Sequence, residues 1–311
     1  MSPGAPIAVA IVSWNTRDLL RANLEALRPD ADAGRAQVWV VDNRSEDGSP
    51  DMVAAEFGWV HLLQPGENLG FGRAVNRVAA QTDSEWIAAA NADLAVRPGA
   101  LEALLAAGKA DPGAGVMGPK LLLPDGSVQR SVQPFYTLTN ALLRALHLHA
   151  RSARIGRRLC FAEHWDPDRG GRVDWVAGAL LLIRRRTWED VGGFDEAQWM
   201  YAEDLDLCWR AARAGWATRY VPEAVVRHEH GAAAAQAFGD TVDKRWLVAT
   251  YAWLAQRRGI LVAWAVAGVN ALDALARLAV SRPGPKRAVL RGHLDSHLAG
   301  LRSRRALERA R

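Results

Sequence analysis

Trp86-Ile87-Ala88-Ala89-Ala90-Asn91-Ala92-Asp93-Leu94 is a short apolar run that stops at an amide and a carboxylate two positions apart. Followed by the helix-start signal Arg97-Pro98-Gly99, it reads as a buried strand feeding a loop. In an open α/β sheet, ligands bind outside the carboxyl ends of the strands, where loops present side chains from a rigid frame. Residues i and i+2 of an extended segment point the same way, so Asn91 and Asp93 can converge on one hard cation or one ribose. Capping of the following helix is the competing use of the same two side chains.

Working back toward the N-terminus, Ile7 to Val12 is a continuous apolar run, the pattern of a strand buried on both faces. Ser13-Trp14-Asn15-Thr16 ends it at a helix cap, and Arg17 to Leu27 has helical apolar spacing. Val38 to Val41 is a second buried strand, so the first two strands and their helix predict a parallel, right-handed βαβ unit. That strand runs into Asp42-Asn43-Arg44-Ser45-Glu46-Asp47-Gly48-Ser49, ordinary turn chemistry. Its first residue, Asp42, is also placed to accept hydrogen bonds from a nucleotide's base or ribose. Trp59 to Leu63 gives a third strand. In Asn68-Leu69-Gly70-Phe71-Gly72-Arg73 the glycines at a helix start let backbone approach a phosphate, to which Arg73 can add charge. A glycine turn with a solvated arginine is the other reading of the same stretch.

Working forward, a helix is expected near Ala100–Lys109 and a short strand at Gly115–Pro119, whereas residues 124–172 show no sustained period and predict loops and a short helix. Val173 to Ile183 reads as one buried strand. From Glu203 to Ala214 the spacing is helical, with Leu207 and Cys208 in the core and Glu203, Asp204 and Asp206 on the first turn. The helix dipole favours acids there. Yet Glu203 and Asp204 follow Met200-Tyr201-Ala202 and are expected to face the crevice, where a partly desolvated carboxylate beside others gains a raised pKa suited to accepting a proton. Trp216–Tyr220 and Ala224–Gly231 predict two more strands, the last ending in His228 and His230. A neutral imidazole facing an acidic crevice is a reasonable metal ligand.

A chain of 311 residues, 50% hydrophobic, can bury one large core or two small ones. Its net charge of +5 is uneven: residues 257–311 hold 12 Lys/Arg against 3 Asp/Glu, and residues 1–256 hold 27 against 31. An acidic body with a basic tail suits an anionic lipid surface. The body has no basic, aromatic-rich stripe, which argues against nucleic acid as a partner. The two cysteines, Cys160 and Cys208, lack CxxC spacing, so neither a disulfide framework nor a zinc site is expected, and a reducing compartment fits. Met1 to Ala10 lacks the basic start of a signal peptide.

The motifs also fall in a familiar order. Val-Ser-Trp-Asn at 12–15, Val-Asp-Asn-x-Ser-x-Asp-Gly-Ser at 41–49, Glu-Asn-Leu-Gly-Phe-Gly at 67–72 and Asn-Ala-Asp at 91–93 resemble the donor half of family 2 inverting glycosyltransferases. Gly-Gly-Phe-Asp-Glu at 192–196, Tyr-x-Glu-Asp-x-Asp-Leu-Cys-Trp-Arg at 201–210 and His228 resemble its acceptor half. The resemblance runs from about residue 7 to 231 and leans toward the rhamnosyltransferase-like branch. It implies a GT-A fold, an α/β domain with a mostly parallel sheet flanked by helices, with nucleotide and acceptor halves on one sheet. It further implies that Asp42 contacts base or ribose, with Ser13, Asn15, Asn68, Gly70 and Asn91 in the donor motifs and Arg73 next to them on the first turn of the following helix. Asp93 and His228 would hold a Mg2+ or Mn2+ ion on the diphosphate, and Asp204 would be the general base with Glu203 beside it. Two positions depart from the pattern: Asn91 is neutral where an acid is common, and His228 is followed by Glu229-His230-Gly231, which leaves His228 and His230 both open as ligands.

The catalytic domain is expected over residues 1–237, followed by a basic helical region over 238–311. There Ile260 to Val269 is apolar but shorter than the ~20 residues that span a bilayer, so an interfacial helix is expected, with packing on the body as the alternative. The expected activity is inverting transfer of a sugar, such as rhamnose, from a dTDP- or UDP-linked donor to a hydroxyl of a cell-surface glycan or polyprenyl-linked acceptor. The expected place is the cytoplasmic face of the plasma membrane, and a homo-oligomer is compatible with the sequence. A different UDP-sugar activity of the same family, or a catalytically silent sugar-nucleotide-binding scaffold, are the rival readings.

Overall fold

The computed structural model describes residues 5–229 and 242–301. The first half winds β1 (Ile7–Ser13), α1 (Arg17–Asp32), β2 (Ala36–Asp42), α2 (Ser49–Glu56), β3 (His61–Leu63), α3 (Phe71–Ala79) and β4 (Trp86–Asn91). β1 pairs in parallel with β2 and β4, and β2 with β3, as the βαβ pattern requires. The apolar runs give strands buried on both faces. Ile7, Val9 and Ile11 point to one core with Leu20, Leu24 and Leu27 of α1. Ala8 and Ala10 point to a second core with Val75 and Val78 of α3.

The second half adds β5 (Leu94–Val96), α4 (Ala100–Ala110), β6 (Ala114–Leu122), β7 (Val128–Gln129), β8 (Val132–Gln133), α5 (Leu138–Ala145) and α6 (Ala153–Arg158). It continues through β9 (Gly171–Val173), β10 (Trp175–Val176), β11 (Leu180–Arg184), α7 (Arg185–Val191), α8 (Glu203–Arg213) and β12 (Ala217–His228). One sheet runs in the order β3-β2-β1-β4-β11-β6-β12-β5, with β7 on β6 and β9 on β12. β11 lies antiparallel between β4 and β6, which joins the first half of the sheet to the second.

Four sequence expectations change. Val173–Ile183 is not one strand: the run breaks at Ala177-Gly178-Ala179, and β10 leaves to pair with β8 while β11 stays in the main sheet. Trp216–Tyr220 and Ala224–Gly231 are instead one strand, β12, which passes Pro222 through a register shift between Val221 and Val225. A bulge lets a proline, which has no N–H to give the ladder, sit within a strand paired on both sides. Helix α1 continues past Leu27 to Asp32 with Pro29 inside it. Residues 124–172 contain three short strands and two helices that their scattered polar residues gave no period to announce.

The C-terminal region begins within the described residues at α9 (Val242–Arg258), followed by α10 (Ile260–Val280) and α11 (Pro285–Leu301). The boundary expected at 237/238 and His230 lie outside the described residues. Asp206, fully buried on α8, holds α9 to the body: it accepts from Trp253 Nε1 at 2.9 Å and Arg257 Nε at 2.6 Å, and pairs with Arg210. Helix α10 is one uninterrupted rod, long and apolar enough to cross a membrane by length and composition. Ala263, Val266, Ala267, Ala271, Ala274 and Leu278 face inward, while Leu261 and Leu272 are 74% and 67% exposed. The sequence expectation of a short apolar stretch ending at Val269 is therefore corrected: Asn270, Asp273 and Arg277 interrupt composition but not the helix. Asn270 and Arg277 spend their polar groups on Tyr251 and Asp273.

Candidate active site

Strand register sets the first wall of the site. Ser13 pairs with Asp42 and Val12 with Asn91, so Ser13, Asp42 and Asn91 stand in a row at the carboxyl ends of three adjacent strands. Asn23 of α1 donates to the Asn91 carbonyl at 3.1 Å and fixes the end of β4. Asp42 is buried; one oxygen accepts from the Ser45 amide at 2.9 Å, and the other has no partner in the ligand-free chain. Ser13 bonds Thr16 side chain to side chain, and Asn15, at φ +52°, takes the Glu46 amide on its Oδ1. Ser13, Asn15 and Asp42 all lie behind the residues that line the cleft, with the first two shaping the loop around the third.

Gly70 sits at φ +75° and ψ −176°, and a Cβ there would lie 2.3 Å from the Trp199 carbonyl oxygen. Only glycine serves at that crossing. Asn68 accepts the Gly70 amide at 2.9 Å, and Asn43, which the sequence reading did not single out, donates to the Gly70 carbonyl at 3.2 Å. Arg73 departs from its expected place at a phosphate: it pairs with Glu196 at 3.5 Å, both half exposed, and does not line the cleft. One turn into α3, its long side chain reaches the neighbouring Gly192–Glu196 loop instead.

Asp93 and His228 are joined by β5 and β12. His228 is in register with Leu94, and Glu229 N donates to Asp93 O at 3.0 Å. His228 Nε2 lies 3.4 Å from Asp93 Oδ1 and 3.5 Å from Asn91 Nδ2, all three residues bordering the same cleft. Gln129 Oε1 accepts from His228 Nδ1 at 2.8 Å. That bond holds the ring with Nε2 turned toward the Asp93 carboxylate. Gln129 came from the aperiodic 124–172 stretch, where no local pattern could have flagged it. Among the described residues no group of three His, Cys, Asp or Glu gathers, so a cation here would take two protein ligands and the rest from diphosphate and water.

The opposite wall is the start of α8. Tyr201 and Ala202 both have positive φ, +67° and +65°, an uncommon pair for residues with side chains and one that re-aims the chain just before the helix. Glu203 and Asp204 then face the cleft. Asp204 Oδ2 accepts from the Gly178 amide at 2.8 Å and Oδ1 from the Leu205 amide at 2.7 Å. The break in the apolar run at Gly178 thus frees a backbone N–H for this carboxylate. An isolated glycine inside a strand pattern was the available signal.

Burial, reinforced by the Asp204 charge, pushes the Glu203 carboxyl up to about 8, and one of its oxygens has no partner. Burial also raises Asp204, against the pull of its two backbone amides. Both carboxyls are thus raised by burial, while the two backbone amides on Asp204 favour its charged form. Asp206 is not part of this site, being spent on Arg210 and Arg257. The cleft between the two walls measures about 410 Å³ and is closed on one side by Trp246 of α9.

A family model described as "Glycosyltransferase like family 2" matches residues 3–248. The chain belongs to glycosyltransferase family 2. Among its relatives, this glycosyltransferase is 37% identical over 202 residues to N-acetylglucosaminyl-diphospho-decaprenol L-rhamnosyltransferase of Mycobacterium tuberculosis, covering 61% of this chain and 66% of that one. It thus spans slightly less than two thirds of that relative's length. It is 38% identical over 91 residues to the rhamnosyltransferase WbbL of Escherichia coli, covering 28% of this chain and 32% of that one. The mannosyltransferase PcManGT of Pyrobaculum calidifontis, solved with GDP-Man and Mn2+, superposes with a TM-score of 0.55 at 19% identity, over 99% of this chain and 86% of that one. These matches establish the glycosyltransferase as rhamnosyltransferase-like in sequence and GT-A-like in fold.

Proposed function

We propose that the chain transfers a sugar, such as rhamnose, from a dTDP- or UDP-linked donor to a lipid-linked glycan acceptor with inversion at the anomeric carbon. The observation that carries this reading is the meeting of two pairs, Asp93 with His228 and Glu203 with Asp204, across one cleft. Asp42 and the Gly70 turn would receive the nucleoside and diphosphate. Asp93 and His228 would hold Mg2+ or Mn2+, which neutralises charge developing on the leaving diphosphate. Asp204, oriented by two backbone amides, would take the proton of the acceptor hydroxyl as its oxygen bonds the anomeric carbon and the nucleoside diphosphate departs. No covalent intermediate is needed. Support for the acceptor class comes from the rhamnosyltransferase relatives.

The outward face of α10, with Leu261, Trp264, Leu272 and Leu275, fits an anionic bilayer surface at the cytoplasmic side. Exposed Arg258 and Arg282 stand at its two ends, and the region from residue 257 onward carries a large basic excess.

The test is turnover of dTDP-rhamnose and UDP-sugars with N-acetylglucosaminyl-diphospho-decaprenol, read as released nucleoside diphosphate and glycosylated lipid. Product with one donor, lost in Asp93→Ala, supports the reading. Metal-dependent nucleotide binding with no turnover on any donor would replace it with the scaffold reading. Flotation with phosphatidylglycerol vesicles tests the surface: Leu272→Lys with Leu275→Lys should leave the chain in the unbound fraction, and unchanged flotation defeats the membrane assignment.

A further inference from the structure

A second cavity, of about 590 Å³, lies between α5, the 147–163 segment and the three C-terminal helices. Its size is within the ~300–1,000 Å³ of small-molecule sites. It adjoins the catalytic cleft through Trp246, whose side chain borders both spaces.

Two features define what it would accept. The first is an aromatic wall: Tyr136 and Trp246 meet edge to face at 6.3 Å, while fully buried Phe161 backs the Arg144 guanidinium at 5.0 Å. The second is a set of planar polar groups already balanced in charge. Arg144 pairs with Glu163 at 2.8 Å and Arg277 with Asp273 at 3.0 Å. Asn270 adds an amide, and burial pushes His297 down to about 4, so that histidine is neutral at pH 7. Aromatic faces suit the C–H faces of a sugar ring, and forked donors beside carboxylate acceptors suit neighbouring hydroxyls. A polyanion would find each arginine already neutralised.

We propose that this cavity is a saccharide-binding subsite, which holds a neutral sugar ring of the acceptor and steers its hydroxyl past Trp246 to Asp204. The inference rests on the transferase reading for its role, but the binding itself does not.

Saturation-transfer NMR on the full chain tests it, with methyl glycosides of N-acetylglucosamine, galactose, glucose and rhamnose as probes. UDP and Mn2+ are present to fill the donor cleft. At least one glycoside should show saturation that persists with nucleotide and falls at least about fivefold in both Arg144→Ala and Arg277→Ala. Arg277 is 43% exposed, so its removal spares the core, and thermal melts of both variants check folding. Absence of saturation with every glycoside overturns the proposal, as does saturation that both folded variants retain. Displacement of the sugar by inorganic pyrophosphate would also overturn it, marking an anion site instead. Glycoside binding in a chain that binds no nucleoside diphosphate would defeat the transferase reading and leave the subsite standing.

Discussion

The Gly178 amide donates to Asp204 Oδ2 at 2.8 Å, so the carboxylate at the head of α8 is oriented by a gap in the sheet. A Cβ on Gly178 would lie 2.8 Å from Asp204 Cβ and 3.2 Å from Oδ2. Gly178→Ala should therefore push Asp204 off its amide, lowering kcat at least about tenfold, with a stability loss of about 1–3 kcal/mol. Turnover together with a denaturant melt checks it. Donor affinity, set on the other wall, should stay within about twofold.

Asp204→Asn keeps the volume and one acceptor but cannot take a proton. The expected loss is ~10²–10⁴-fold in kcat with unchanged donor binding. Steady-state rates beside calorimetric titration of the nucleotide sugar separate the two effects.

The Glu203 carboxyl gives stability a pH slope. Its pKa is raised from 4.5 to about 8 on folding, so between those values the folded chain binds more protons than the unfolded one. Stability then falls as pH rises through that window, by up to about 1.4 kcal/mol per pH unit for one proton. Melts from pH 5 to 8 should decline more steeply for wild type than for Glu203→Gln. Equal slopes would remove the burial argument.

Asp206→Ala should destabilise by about 1–3 kcal/mol, because it leaves the buried Trp253 N–H without a partner, Arg257 with Asp195 alone and Arg210 with only the Val191 carbonyl. Loss of α9 docking would appear as faster proteolysis after Arg257 and Arg258.

What the sequence made legible follows from where the information lies. The parallel strands declare themselves because both faces are buried, so Ile7–Val12 and Trp86–Ala90 are unbroken apolar runs. Asp93, His228, Glu203 and Asp204 were named from the ends of such runs and from the family resemblance, and the fold brings them to one cleft. Three-residue β5 was too short to show a period. The separate fates of β10 and β11 depend on the partner strand of each, which no local window contains. Gln129 and Trp246 entered the site from segments without pattern. Asp206 looked like its two neighbours, but one further residue around the helix turned it into the core toward Arg257.

The β5–β12 pairing also has a consequence for assembly. Asn91 and His228 stand 137 positions apart, and their side of the cleft exists only once β12 has closed against β5 and β6. Contacts of such separation form late because the intervening loop must first be closed. A chain emerging from the ribosome would pair β1 to β4 long before His228 could reach Asp93, so this wall of the cleft is completed late in folding.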